Sequence, residues 1–165
     1  MKRLLILLLY IIIFAGCRQE RTPPDGLPNL YPCTIFITQE GKPVEYATVT
    51  LHSSPPLPWT VNGKTAADGT ATVFTHGYFN GAPLGQYKVT VRKIKTVAPP
   101  MPEVLPKSEA ALSKLYDKIE AETKDYDLID PQFGNENTTP LEITVEKRMP
   151  KTTFDVGKSV TILTQ

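Results

Sequence analysis

Residues 41–51 read Gly41-Lys42-Pro43-Val44-Glu45-Tyr46-Ala47-Thr48-Val49-Thr50-Leu51, and this stretch decides the fold. Glu40 to Pro43 has turn chemistry, with Gly41 free to take a positive φ that a side chain would strain. Residues 44–51 then read as a strand in which Ala47, Val49 and Leu51 share one face while Thr48 and Thr50 take the other. A strand with one apolar and one polar face has to lay the apolar face on a second layer, which points to packed antiparallel sheets.

The same signal recurs on both sides. Upstream, residues 33–38 (Cys33-Thr34-Ile35-Phe36-Ile37-Thr38) form a strand-like run. Downstream, the turn signals Asn62-Gly63, Asp68-Gly69 and Asn80-Gly81 come at the spacing of a β-sandwich. Between and after them lie residues 70–75, with Ala71 and Val73 on one face, and residues 86–94, with Tyr87, Val89 and Val91 on one face. Residues 141–145, a turn near Met149-Pro150 and residues 159–163 complete a reading of about seven strands. Sixteen prolines and ten glycines favour such a turn-rich β protein over a helical one.

One segment departs from this pattern. Residues 108–123 place Leu112, Leu115, Tyr116 and Ile119 at helical spacing, with Ser108 as N-cap and Glu109 in the first turn. Two uses of its apolar stripe stand open: covering an end or face of the sandwich, or docking as an arm on a partner protein. The acidic stretch 125–130 that follows reads as a solvated linker. Asp125, Asp127 and Asp130 lack the glycine and terminal Glu of a calcium loop.

The N-terminus carries the address. Lys2-Arg3, the apolar run 4–15 and Gly16-Cys17 have the three parts of a secretory signal, and the run is shorter than the ~20 residues of a membrane span. With Cys17 directly after Phe14-Ala15-Gly16, the segment resembles a bacterial lipoprotein signal, with Phe14 where an aliphatic residue is usual. That resemblance implies cleavage of residues 1–16 and lipid on Cys17, hence a membrane partner. Cys33 would then lack an intrachain partner and be buried as a small apolar side chain; an unmodified Cys17 leaves a Cys17–Cys33 disulfide open. Residues 17–32 read as a polar, proline-rich lipidated tether and residues 33–165 as the domain. Without Lys2 and Arg3 the basic count falls from 18 to 16 against 17 acids, a formal net of −1 that offers no basic face for nucleic acid.

The strand motifs also resemble a family. Residues 41–51, then Thr65-Ala66-Ala67-Asp68-Gly69-Thr70-Ala71, then Pro83-Leu84-Gly85-Gln86-Tyr87-Lys88-Val89-Thr90-Val91 are similar to the successive motifs of carboxypeptidase regulatory-like, transthyretin-like domains. The departures are Ala66 for an acid and one extra residue between Pro83 and Gly85. Ile129-Asp130-Pro131-Gln132-Phe133 and the run from Thr138 to Val145 resemble the tail of small planctomycete-type lipoproteins carrying this domain. Over about residues 33–146 the resemblance implies a mainly β, prealbumin-like (Ig-like) antiparallel sandwich with one helix inserted before the last strands. It implies a structural or adhesive module in the cell envelope. With Arg18 rather than aspartate after Cys17, the lipoprotein resemblance implies the outer membrane over retention in the inner one.

Signals for chemistry are sparse. His52 and His76 stand 24 positions apart without metal-ligand neighbours, and His52 falls on the solvated Thr48/Thr50 face. Gly157-Lys158-Ser159 imitates the end of a phosphate-binding loop, but Thr152 stands where its first glycine belongs. The C-terminal Tyr-Arg-Gly-Ser of hydroxyisourate hydrolases and the Tyr/His iron set of intradiol dioxygenases, both of related folds, are absent. The expectation is a non-catalytic protein without metal or cofactor, binding an envelope protein or a glycan. For the glycan reading, Trp59, Tyr78 and Phe79 lie in turn-rich segments that can meet at one end of the sandwich and stack on sugar rings.

Overall fold

The computed structural model describes residues 22–164; residues 1–16, read above as a signal, Cys17 and the first residues of the stretch read as a tether lie outside the described residues. The chain is mainly β, with several antiparallel sheets and one α-helix. Thirteen strand segments occur among the described residues, four of them only two residues long.

The strand that opens the domain is β1 (Thr34–Gln39), which turns into β2 (Lys42–Pro43). Glu40 and Gly41 both take positive φ, 53° and 75°, as a two-residue hairpin of this hand requires. A second turn at Glu45-Tyr46 then separates Val44 from β3 (Thr48–Ser53), so the strand read as 44–51 begins four residues late. Its alternation holds, since Ala47, Val49 and Leu51 are buried.

Strand β4 (Val61–Lys64) pairs with β3, and Asn62-Gly63 lies inside it rather than at a turn. Gly63 serves close approach, because a Cβ there would run into the Thr72 carbonyl. Asp68-Gly69 is the turn expected: the Asp68 carboxylate accepts from Thr70 N–H at 2.9 Å and Gly69 has φ 77°. After it, β5 (Thr70–Thr72) pairs with β1 and β6 (Phe74–Thr75) with β4, so the chain changes sheets at the buried Val73. The turn into β7 (Phe79–Asn80) is His76-Gly77, with φ 54° and 74°, whereas Asn80-Gly81 leads to a backbone bridge from Ala82 to Tyr31.

The long strand β8 (Gly85–Arg92) lies at the centre, between β3 and β11 (Glu142–Val145). The larger sheet runs β11-β8-β3-β4-β6-β7. The smaller is β12-β1 with β2 and β5 along the other edge of β1, where β12 (Thr152–Asp155) is an unexpected strand running parallel to β1. Ile35, Ile37, Ala71 and Val156 from one side meet Val49, Val61, Val89, Val91 and Val145 from the other in one core, a β-sandwich-like arrangement. Cys33 is a free thiol within it, and burial pushes its pKa up to about 11.

Beyond the sandwich, the chain continues from β8 through Lys93 into β9 (Ile94–Val97), then to helix α1 (Glu109–Glu122) and back along β10 (Lys124–Asp127). Strand β13 (Ile162–Leu163) adds to β10, making a three-stranded ribbon. The helix starts as its sequence predicts, Ser108 accepting from Ala111 N–H at 3.3 Å. It does not cover the sandwich: none of its residues is buried, and Leu112, Leu115 and Ile119 are not in the core. The acidic stretch read as a linker is largely β10, and Asp127 is buried, bonded by Arg92 at 3.3 Å and Thr164 at 3.2 Å.

Candidate functional site

The topology gives the sandwich two poles. Tyr31, just ahead of β1, exchanges backbone hydrogen bonds with Ala82 at 2.9 and 3.0 Å. Strand β8 begins nearby at Gly85 and carries the chain eight residues, about 26 Å, to the pole from which β9 departs. There the Gln39 amide donates to the carbonyls of Leu128 at 3.1 Å and Lys158 at 3.2 Å, rooting the ribbon at the end of β1. Residues 22–32 therefore join at one pole, and the ribbon, the helix and the segment between them, together an arm, leave from the other.

The arm collects apolar surface. Eleven large apolar side chains are exposed among the described residues, and eight belong to this arm: Ile94, Val97, Met101, Val104, Leu105, Tyr116, Ile162 and Leu163. Val104 is 81 % exposed, the most of any of them. Such clustering contrasts with the scattered single apolar side chains of an ordinary surface.

The aromatic residues expected to bind sugar sit at the pole of Tyr31. His76 N–H donates to the Thr60 carbonyl at 2.7 Å, which brings the segment of Trp59 against the turn of Tyr78 and Phe79. Tyr78 is 57 % exposed and stands edge-on to His76, ring centres 6.3 Å apart, while Trp59 and Phe79 are half-buried. The segments meet as read, but only one of the three rings offers most of its area to solvent.

A cleft of about 520 Å³ lies on the outer face of the larger sheet, over β3, β8 and β11. His52 is at its edge, on the Thr48/Thr50 face, but half-buried rather than simply solvated. Its Nδ1 lies 2.9 Å from the Glu136 carboxylate and its Nε2 2.9 Å from Thr90 Oγ1. This has the connectivity of a carboxylate–imidazole–hydroxyl relay. Thr90, however, is buried in mid-strand and paired opposite Thr50 on β3, where a substrate would have to pass the His52 ring to reach its hydroxyl. The arrangement fits a pin that holds residues 135–137 over the sheet. Sequence reasoning missed it because Glu136 comes from a distant loop whose Asn135-Glu136-Asn137 run has no periodicity or spacing tied to His52.

Two carboxylates have lowered pKa values. Asp155 accepts from the Thr38 hydroxyl at 2.8 Å, Gly157 N–H at 2.8 Å and Gly41 N–H at 3.2 Å, all of which favour its ionised form. Asp68 is lowered by its bonds to Thr70. Both tie turns, so their work is local structure. Among the described residues no group of three or more His, Cys, Asp or Glu side chains is placed to hold a metal ion, and no helix is long and apolar enough to cross a membrane.

No family model matches this chain, and neither the characterised proteins nor the solved structures include a significant match.

Proposed function

We propose that this protein is a lipid-anchored, non-catalytic module of the cell envelope, a prealbumin-like sandwich that holds out an arm to a partner protein. The observation that carries the reading is the concentration of exposed apolar side chains in the ribbon and in the segment that leads from it to α1, at the pole opposite Tyr31. Lipid on Cys17 would fix one end of the molecule at the outer membrane. A proline-rich tether over residues 18–30 would span up to about 40 Å if extended, leaving the arm directed away from the bilayer.

The arm suits docking on a protein. One ribbon face sets Val97, Tyr126 and Leu163 beside Lys95 and Lys124, an apolar strip with cationic borders that matches an acidic, amphipathic partner segment. The free edge of β9 offers backbone groups to an added strand. A photo-crosslinking residue at Val104 is expected to give one discrete adduct in intact cells, and the same residue at Glu45 none. Equal labelling from both positions would contradict the reading.

A second reading, sugar binding at the pole of Tyr31, is favoured by the exposed ring of Tyr78 beside the Trp59 segment. Trp59→Ala with Tyr78→Ala would then abolish retention on polysaccharide and leave crosslinking from Val104 intact; unchanged retention would remove this reading.

A further inference from the structure

We infer that the cleft over β3, β8 and β11 is a binding site for an uncharged polyhydroxylated ligand, a saccharide chain in chemical class. The inference does not depend on the arm, and it places recognition on the sheet face rather than on the rings of the end-loops. The sheet register builds the floor. His52, Lys88 and Glu142 form one row across three strands, and Gln86 and Thr144 form the next. Adjacent strands lie about 4.8 Å apart, so these side chains present a grid of donors and acceptors at near-regular intervals. Pro56 and Asn137 also line the cleft, and Asn137 follows Glu136, which is held on His52 at 2.9 Å.

Charge decides the ligand class. In its row Lys88 lies between Glu142 on β11 and His52 on β3, and His52 holds the Glu136 carboxylate at 2.9 Å at the edge of the same cleft. An anion drawn by Lys88 meets both carboxylates, and a cation drawn by Glu142 meets the ammonium group. A hydroxyl both donates and accepts, so a row of hydroxyls satisfies either sign without transferring a net charge into the cleft. The side chains of Lys88, Glu142, Gln86, Thr144 and Asn137 make no hydrogen bond or ion pair with other described residues, which leaves them all available. The cleft volume is also within the range of sites for small ligands.

The test is calorimetric titration of the intact protein with gluco-, galacto-, xylo- and chito-hexaose, alongside inorganic phosphate and spermidine. At least one hexaose is expected to bind, and Lys88→Met and Glu142→Ala each to weaken it about tenfold or more. Both positions are exposed, and unchanged thermal unfolding of the variants would separate lost contacts from lost structure. Binding that survives both substitutions, preferential binding of phosphate or spermidine, or no binding of any hexaose would overturn the assignment. A Val104→Ser variant should bind the hexaose as the unaltered protein does, so failure here and failure of the docking arm are told apart.

Discussion

Strands β8 and β9 are separated by a single residue, Lys93, yet β8 buries Tyr87, Val89, Thr90 and Val91 while every residue of β9 is exposed. Both are extended and both are paired on a neighbour. The difference is that β8 has a second sheet against its inner face and β9 has none. Within the sandwich, side-chain burial stabilises the strands, at roughly 1.5–3 kcal/mol for a fully buried aliphatic side chain. In the arm, backbone ladders and a few polar contacts hold the strands: Thr96 to Asp125, and Arg92 and Thr164 to Asp127. Regions of the second kind open more readily and are the usual source of binding elements.

The contrast is broken most directly by truncating one apolar side chain in each region. Ile35→Ala, in the core, is expected to cost about 2–5 kcal/mol in urea unfolding, and Val104→Ala, in the arm, less than about 0.5. Comparable losses would mean that the arm belongs to the folding unit. Gly63→Ala comes next: its methyl group would press on the Thr72 carbonyl where β4 passes the smaller sheet, at about 1–3 kcal/mol in the same unfolding curves. The junction is sharpened by Arg92→Ala, which removes the cation beside the buried Asp127 and is expected to cost about 1–3 kcal/mol. Hydrogen exchange should then speed up in residues 124–127 while Val89 and Val91 keep their protection.

The smallest effect is in acid. Asp155 has a folded pKa below its ordinary 3.8, so the stability it contributes is complete above that value and is lost as pH falls through the lower folded one. Asp155→Asn should flatten this loss below about pH 4 in a pH series of melting curves. An unaltered acid limb would show that the Thr38 and Gly157 bonds do not matter to stability.

Much of the sandwich was legible because its signals are local. The alternation through Ala47, Val49 and Leu51, and again through Tyr87, Val89 and Val91, is written in neighbouring residues, as are the Asp68-Gly69 turn and the Ser108 cap. What escaped was set by distant partners. Lys124-Asp125-Tyr126-Asp127 reads as solvated acid, and becomes a strand only because β9 and β13 supply backbone partners. Thr152-Thr153-Phe154-Asp155 has the same history beside β1. The cleft was illegible for that reason too, since its floor comes from strand register and part of its lining from a loop pinned on His52.

The register at the arm permits one decisive experiment. Val97 and Lys124 are directly paired, so an Asn-Gly turn can replace residues 98–123 and close β9 on β10 as a two-residue hairpin. If the helix and its proline-rich approach are a docking element outside the sandwich, the shortened protein should unfold within about 3 °C of the full chain, a change of about 1 kcal/mol. A fall of about 10 °C or more would show that α1 supports the core after all, and would contradict the division of the molecule into a frame and an arm.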